Sequence, residues 1–381
     1  MSYSDIILDN RFHHSPVRWW PQFAFHYTDV TNAVSILDSG MLFSRSNAEH
    51  LGLMHNDNAS RQVIDMTQAE AQSCVRFYFR PLTPTQYYNE GFKHIQLRYD
   101  DDENANTPVP IFFLFDLAKL LSLPGVRFSE QKQAGYGSTL LQGEDDFAKM
   151  NFDYIYSIGP KNIGEMKPYR HAEILHQNSM PIDTCLRYIG CRNKVERLTL
   201  MNLLKRQNPK AFHKYKDKIY IIKENAFEYN GLYVTNCQYH DGVISISFSD
   251  TYEKKYYTRS QKAKNSVTDL KPVKIRIELD WLNSRGIIGH SATEVMRDYE
   301  STSDMIYKKL PVYPTARSLR IQVFIEDKLM CCVEHALDDS ELIKWVYYFS
   351  LNIYNAANNN NNKGGIIRGK RYLIRCFFRS R

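Results

Sequence analysis

Short apolar segments with the pattern of β-strands recur through the first half of the chain, and they restrict it to folds with a sheet at the core. Residues 24–27 (AFHY), 75–80 (VRFYFR) and 110–117 (PIFFLFDL) alternate or run apolar. Prolines follow the second of them and an acidic loop, residues 100–108, precedes the third, and both signals bound strands. Residues 168–176 (PYRHAEILH) have the same character, with a strand entered through a proline.

Two segments in this half have helical spacing. The first follows N-cap candidates at positions 28–31 and stops at Gly40. The second, residues 194–207 (KVERLTLMNLLKRQ), places leucines and a valine near the spacing of one helix face. Strands that alternate with a few short helices predict a mixed α+β domain over residues 1–207.

The pattern changes after residue 207. Strand-like segments such as 273–280 (VKIRIELD) and 318–327 (SLRIQVFIED) follow one another, separated by turn signals. The sequence therefore predicts a β-rich second domain over residues 208–354. Residues 355–381 combine an asparagine-rich run of low complexity with a basic tail, and we expect the run to be disordered.

Charge divides unevenly between the two halves. Residues 1–194 carry a net charge of −4 and residues 195–381 a net charge of +11, and many of the 26 tyrosines lie among the C-terminal cations. Cations and exposed rings suit a phosphate backbone with unpaired bases. A solvated lysine-rich surface with tyrosines on strands is the competing interpretation. On the first interpretation, the second domain grips phosphates through Lys254 and Lys255, and the first domain binds little nucleic acid unaided.

Several classes of protein fit poorly. No window of 18 apolar residues and no signal-peptide pattern is present, so we expect a cytoplasmic protein. Seven cysteines without a CxxC pair predict neither a disulfide framework nor a structural metal site. Cys331 and Cys332 should point to opposite faces of a strand. No phosphate-binding P-loop, GxGxxG, GxSxG or kinase pattern occurs.

A set of segments in one order is the most specific signal. It consists of FHYTDVTNAVSILDSG, VRFYFRPLTPTQYYNEG, YRHAEILHQNSMPI and CRNKVERLTLMNLL. Over residues 22–207 the chain resembles the DarT family of nucleic-acid ADP-ribosyltransferases. The resemblance implies an ADP-ribosyltransferase fold with a split β-sheet core, in which two small sheets frame a cleft for NAD.

The resemblance also implies roles for particular residues. Glu173 matches the family's catalytic glutamate, and a carboxylate there can hydrogen-bond the ribose of NAD and accept a proton from the incoming nucleophile. His26, Tyr27 and Thr28 match a strand and turn that contact NAD, and Asn32 matches the asparagine that follows. The structural alternative for His26 is a histidine buried in the core, and for Thr28 and Asn32 it is a helix cap.

The family also places an arginine upstream of the FYF strand, where it binds the NAD diphosphate and has a catalytic role, since it steadies the departing charge. Arg61 is the candidate by order. Many relatives have Val-Pro before FYF, where this chain has Arg76. Arg76 therefore competes with Arg61 for the role on the diphosphate. For each of the two arginines, a surface ion pair is the structural alternative.

Residues 125–150 are polar and glycine-rich, which predicts a long mobile loop. In related transferases the segment at this place selects the target. Tyr136 in it is a candidate to stack on a base rotated out of the strand.

The resulting expectation is a toxin-like enzyme that transfers ADP-ribose from NAD to a base of single-stranded DNA or RNA, in a toxin–antitoxin or phage-defence setting. Three alternatives remain. The target could be messenger RNA, the first domain could be an inactive NAD or ADP-ribose sensor that binds nucleic acid, or the acceptor could be a protein side chain. The family further implies an antitoxin partner, which the second domain could bind instead of nucleic acid.

Overall fold

The structure of the chain is a computed structural model. It describes residues 1–56, 72–97, 106–133, 139–159, 163–249, 271–299, 305–307, 310–311 and 313–337. The asparagine-rich segment and basic tail predicted over residues 355–381 lie outside the described residues.

Two compact units make up the described chain. The first contains the described residues of Met1–Thr235 and Phe248–Lys271, and the second those of Asn236–Ser247 and Pro272–Arg381. The first unit therefore continues past residue 207, where the sequence predicted a boundary, because the next strand joins its sheet. The division into a catalytic and an accessory domain stays a prediction.

The helices in the described part of the first unit are short, apart from three that have 10 to 14 residues. Their bounds are α1 (Tyr3–His13), α2 (Val30–Ser39), α3 (Arg45–His50), α4 (Pro84–Asn89), α5 (Leu117–Leu121), α6 (Glu144–Ala148), α7 (Phe152–Ile155), α8 (Ile163–Met166), α9 (Lys194–Gln207) and α10 (Pro209–Tyr215). Single turns of 3₁₀ helix lie at Ser15–Val17, Trp20–Gln22, Ile95–Leu97, Tyr169–His171, Ile182–Thr184 and Lys216–Lys218.

A central sheet of seven strands forms the core of this unit. The strands are β1 (Phe23–Asp29), β3 (Cys74–Tyr78), β4 (Pro110–Asp116), β5 (Arg127–Ser129), β6 (Glu173–Gln177), β8 (Leu186–Cys191) and β9 (Ile219–Ile221). Their order is β5-β6-β3-β1-β4-β8-β9, and only β8 and β9 run parallel among the pairs with a described register. A separate pair joins β2 (Met41–Phe43) to β7 (Ser179–Pro181).

The first unit has one seven-stranded central sheet instead of the two small sheets that were expected to frame a cleft. One sheet runs through the unit, but its two parts are joined weakly. β1 pairs with β4 along its whole length, from Phe23 opposite Asp116 to Asp29 opposite Pro110. With β3 it shares a single register pair, Phe25 opposite Tyr78. The strands therefore diverge on either side of that pair.

Local sequence signals explain the helices beside this divergence. Of the N-cap candidates, Asp29 performs the role, since its carboxylate accepts a hydrogen bond from the Thr31 amide at 3.0 Å. Gly40 ends α2 with a φ of +68°, a left-handed conformation that favours glycine. Helix α9 has the predicted bounds.

Behind β8, a buried ion-pair network ties α9 to the rest of the unit. The Arg192 guanidinium bonds Glu196 at the start of α9 and donates to Glu90 at 3.1 Å, and all three side chains are buried. Glu90 also accepts hydrogen bonds from the backbone amides of Glu228 and Tyr229. Three segments that are distant in sequence thus meet at the carboxylates of Glu90 and Glu196, and Arg192 neutralises the charge of both.

The prediction of a long loop over residues 125–150 is wrong near both ends of the segment. Residues Arg127–Ser129 form β5 on the edge of the sheet, and Glu144–Ala148 form α6. Phe128 and Phe147 are buried with their ring centroids 5.5 Å apart. Two phenylalanines among polar residues were enough to bury both ends of the segment.

The second unit is β-rich, as predicted. One sheet has the order β13-β12-β15-β16 and the other β10-β11-β14. The strands are β10 (Val234–His240), β11 (Val243–Phe248), β12 (Val273–Leu282), β13 (Ile288–Tyr299), β14 (Met305–Tyr307), β15 (Ser318–Ile325) and β16 (Lys328–Ala336). Cys331 and Cys332 are adjacent in β16 and both are buried, so both faces of this strand are covered.

Candidate active site

A cavity of about 240 Å³ opens where β1 and β3 diverge. Strand β1 contributes His26 and Thr28 to its wall, and β3 contributes Arg76 and Tyr78. Helix α2, strand β2 and helix α3 supply the rest, including Arg45. Among the described residues, the lining contains these two arginines and no aspartate or glutamate, so the cavity suits an anionic ligand.

Glu173 lies behind Arg76. The Arg76 guanidinium donates from Nε to Oε2 at 3.0 Å, and from Nη2 to Oε1 at 2.6 Å and to Oε2 at 2.7 Å. The strand register explains the contact, because β3 and β6 pair with Arg76 opposite Leu175 and Tyr78 opposite Glu173. Arg76 and Glu173 are therefore diagonal neighbours on one face of the sheet.

Burial makes this pair a fixed feature. The Glu173 side chain is 2% exposed and that of Arg76 is 28% exposed. Burial lowers the pKa of Arg76, but the carboxylate of Glu173 and the neighbouring Tyr78 raise it by more, so the guanidinium stays charged. Removing Arg76 would leave a carboxylate with almost no access to water, which costs several kcal/mol.

His26 is held beside this pair as a neutral imidazole. Its Nδ1 lies 3.0 Å from the backbone oxygen of Arg76. A carbonyl oxygen can only accept, so Nδ1 carries the proton and Nε2 is left as an acceptor. Burial lowers the pKa of His26, although the hydrogen bond opposes this. Phe77 and Phe113 flank the ring at centroid distances of 6.2 and 6.3 Å.

The other residues predicted to contact NAD also line the cavity, with differing surroundings. Thr28 is buried in the wall. Tyr27 packs on Phe112 at a centroid distance of 5.1 Å. The Asn32 amide bonds the loop beside it, since Oδ1 accepts from the amides of His55 and Asn56 and Nδ2 donates to the Asn56 oxygen at 2.6 Å. Asn32 therefore shapes the wall through backbone contacts, and its contact with NAD stays a prediction.

Four predicted site residues lie outside the described residues, namely Arg61, Tyr136, Lys254 and Lys255. Their assigned roles stay predictions. Sequence reasoning missed two residues that the structure brings to the site, Arg45 and His171. Arg45 begins α3 directly after its N-cap Ser44, a position at which a charged side chain gives no sequence signal of its own.

Positive charge surrounds His171, which lies in the turn that precedes Glu173. Burial lowers the pKa of His171 to about 4, and the charges of Lys132, Lys167 and Arg76 contribute in the same direction. Lys132 and Lys167 are exposed. Cations therefore lie close to the residue two positions before Glu173, although the first half of the chain is acidic overall.

Residues 25–221 match a family model described as "ssDNA thymidine ADP-ribosyltransferase, DarT". The match spans more than half of the chain. The chain belongs to the DarT family. Membership confirms the predicted family and, with it, the enzyme class, an NAD-dependent nucleic-acid ADP-ribosyltransferase with NAD as co-substrate.

Solved DarT structures are similar to part of this DarT-family chain. Thermus sp. 2.9 DarT in complex with NAD⁺ is 15% identical with a TM-score of 0.42, and the match covers 54% of this chain and 98% of that one. The same protein in complex with ADP-ribosylated ssDNA is 14% identical with a TM-score of 0.44, and the match covers 54% of this chain and 97% of that one. Thermosipho africanus DarTG in complex with ADP-ribose is 13% identical with a TM-score of 0.39, and the match covers 55% of this chain and 52% of that one. A search among curated proteins finds no match.

The described part of this DarT-family chain contains neither a candidate membrane-spanning helix nor a metal-binding cluster. None of its helices has the length and apolar character needed to cross a membrane. No group of three or more histidine, cysteine, aspartate or glutamate side chains is placed there to hold a metal ion.

The buried pair predicts a specific order of stabilities. Arg76→Ala should lower the free energy of unfolding by about 3–5 kcal/mol, because Glu173 loses its partner inside the protein. Arg187→Ala, at an exposed arginine of β8, should change it by less than about 0.5 kcal/mol. Urea unfolding of the full chain measures both. The double variant Arg76→Ala/Glu173→Gln should be more stable than Arg76→Ala alone, and equal stability would contradict the stranded-charge explanation.

His171 predicts a loss of stability in mild acid. Its pKa is about 4 in the folded chain and about 6.5 when unfolded, so the unfolded chain binds an extra proton between those values. The stability it contributes is complete above pH 6.5 and is lost as the pH falls towards 4. His171→Gln should flatten the decline of the urea midpoint across this window. His213→Gln, at an exposed histidine of α10, is the control and should leave the decline unchanged.

Proposed function

We propose that this chain transfers ADP-ribose from NAD to thymidine in single-stranded DNA, on an ADP-ribosyltransferase fold. The observation that carries the proposal is a buried glutamate, Glu173, bonded to Arg76, which lines a cavity whose described lining contains two arginines and no carboxylate. The match of residues 25–221 to the thymidine-specific family supports the choice of acceptor.

The reaction needs few protein groups. The bond between ribose C1′ and the nicotinamide nitrogen breaks, its electron pair stays on nicotinamide, and a bond forms between C1′ and a base nitrogen. Nicotinamide leaves neutral, so no proton has to be supplied to it. The base loses its N–H proton, and in thymidine N3 carries the one such proton of the ring. Glu173 accepts this proton and hydrogen-bonds a ribose hydroxyl, which stabilises positive charge at C1′.

The surroundings of Glu173 fit these roles. Arg76 fixes the orientation of the carboxylate. Neutral His26 offers Nε2 as an acceptor for a hydroxyl or amide of NAD. Lys132 and Lys167 beside His171 supply charge for the phosphates of the acceptor strand. Tyr136 follows Lys132 closely in sequence, and its stacking on a base is part of the proposal.

The biological setting is proposed from the family. A toxin of this kind is held in check by an antitoxin that blocks the enzyme or removes the modification, and phage defence is one use of such a pair. The β-rich domain predicted over residues 208–354 serves as a basic platform for nucleic acid, with Lys254 and Lys255 as contacts. Docking of the antitoxin on that predicted domain is the alternative.

The deciding experiment is to incubate the full chain with NAD labelled in its adenylate half and with pools of acceptors. The pools are thymidine-containing single-stranded DNA, thymidine-free single-stranded DNA, RNA and protein. Label should enter the first pool alone. Label in RNA or in protein would favour the corresponding alternative. If neither transfer nor NAD hydrolysis is detected, the result favours an inactive sensor.

Glu173→Gln should lower transfer at least about 100-fold, because an amide can hydrogen-bond the ribose but cannot take the proton. Glu165→Gln, at an exposed glutamate of α8, is the matched control and should keep the rate of the unaltered chain. Label counted on the oligonucleotide measures both variants. Near-normal transfer by Glu173→Gln would exclude Glu173 as the base.

The cations beside His171 predict a change in salt dependence. Charge reversal at Lys132 and Lys167 together should weaken binding of single-stranded DNA across sequences, and should reduce the log–log salt slope by about 1.4. Reversal at Lys119 and Lys149, two exposed lysines of the same unit, is the control. Fluorescence anisotropy at several salt concentrations measures both. An unchanged slope in the first variant would show that the acceptor phosphates lie elsewhere.

A further inference from the structure

We propose that a row of aromatic rings on the central sheet is a second contact site for single-stranded DNA, separate from the cavity. The aromatic row consists of Trp19, Phe23, Tyr188 and Tyr220. The inference takes its ligand from the proposed function, and it goes beyond that function by assigning a site that the chemistry of transfer does not use.

Neighbouring rings of the aromatic row are in contact. The ring centroids are 6.4 Å apart between Trp19 and Phe23, 5.8 Å between Phe23 and Tyr188, and 5.6 Å between Tyr188 and Tyr220. Strand pairing brings these distant segments together, because β4 pairs with both β1 and β8, and β9 runs beside β8. The aromatic row is therefore anchored on the sheet.

The aromatic row lies away from the cavity. Phe23 and His26 are three positions apart in β1, so their side chains point to opposite faces of the strand, and His26 lines the cavity. Strand β8 is three strands from β3, about 15 Å across the sheet. A base on Tyr188 or Tyr220 therefore does not compete with NAD.

One end of the aromatic row is open to water. Phe25, which packs on Trp19 and Phe23, is fully buried, whereas Tyr188 is 41% exposed and Tyr220 is 50% exposed. The row thus rests on the core at one end and presents two tyrosines at the other. A base stacked on such a ring contributes about 1–3 kcal/mol to the binding of a single strand, whatever its sequence.

Charge around the aromatic row favours a nucleic acid as the occupant. The three segments that carry the row, residues 18–23, 186–188 and 216–224, contain five cationic side chains and two carboxylates, a net charge of +3. The cations are Arg18, Arg187, Lys216, Lys218 and Lys223, and the carboxylates are Asp217 and Glu224. Lysine is depleted where proteins bind one another, whereas a phosphate backbone requires cations.

Protection of a sheet edge is the simpler explanation for the lysines alone. Strand β9 is the last in the order of the sheet, and lysines beside an edge strand discourage pairing with another chain. That role does not explain exposed tyrosines, since apolar rings at an open edge promote association. A single-stranded nucleic acid accounts for the rings and the cations together.

Fluorescence anisotropy with a single-stranded DNA of about 24 nucleotides tests the proposal on the full chain. Tyr188→Ala/Tyr220→Ala should weaken binding at least about tenfold, because two stacking surfaces are lost. Tyr188→Phe/Tyr220→Phe keeps both rings and should stay within about threefold of the unaltered chain. Phe12→Ala, at a 76% exposed ring of α1 outside the row, is the matched control and should bind like the unaltered chain.

A length series distinguishes the aromatic row from the site of transfer. A strand that reaches both sites gains affinity, because its second contact forms within the complex already made. The alanine double variant should therefore narrow the difference in Kd between oligonucleotides of about 6 and about 24 nucleotides.

Photochemical crosslinking locates the contact on the unaltered chain and so does not depend on the folding of a variant. An oligonucleotide with 5-iododeoxyuridine in place of thymidine loses iodine on irradiation and bonds a ring on which the base stacks. Peptide mass spectrometry should find crosslinks at Tyr188 or Tyr220, and they should persist when excess ADP-ribose is added. Crosslinks confined to other positions would overturn the proposal.

The outcomes separate this inference from the proposed function. If the alanine double variant binds the long oligonucleotide as tightly as the unaltered chain, the aromatic row is not a DNA site, and transfer of label to DNA still supports the proposed function. If the row binds DNA and no ADP-ribose is transferred, the proposed function fails and the row stands. If the unaltered chain is a dimer by light scattering and the alanine variant a monomer, the rings join two copies and the inference is overturned.

Discussion

The ion pair between Arg76 and Glu173 is the interaction on which the rest of the site depends. A carboxylate that is 2% exposed can stay ionised only beside a cation, and Arg76 supplies that charge through contacts of 2.6 to 3.0 Å. Because β3 and β6 pair in a fixed register, the same backbone that builds the sheet also sets the orientation of the carboxylate. Sheet geometry and site geometry are therefore one constraint.

The divergence of β1 from β3 provides the room for a ligand. A sheet that paired these strands along their length would close the gap that now holds the cavity. The strands meet at Phe25 and Tyr78, and His26 then bonds the Arg76 backbone rather than continuing the ladder. One side chain thus replaces a strand hydrogen bond and lines the cavity at the same time.

Sequence patterns predicted the helices and strands better than the contacts between residues that are distant in sequence. Strand β1, helix α2 with Gly40 at its end and helix α9 follow from local capping and spacing, which act within a few residues. The contact of Arg76 with Glu173 spans 97 positions and depends on strand register, which no local pattern encodes. Arg45 was missed for the same reason, since only the folded chain brings α3 to the wall opposite β3. Residues 125–150 were misjudged because their composition concealed two buried phenylalanines.

The net charge of a long segment does not describe the charges close to the site. Residues 1–194 carry a net charge of −4, which predicted that this part binds little nucleic acid. Around His171, however, Lys132, Lys167 and Arg76 are close enough to lower its pKa. Charges in solution act over roughly 8 Å at physiological ionic strength, so distant acidic residues are screened from a phosphate at this position. In the proposed function, Lys132 and Lys167 of the first unit therefore contact the acceptor strand, and the basic domain predicted over residues 208–354 adds to that contact rather than supplying all of it.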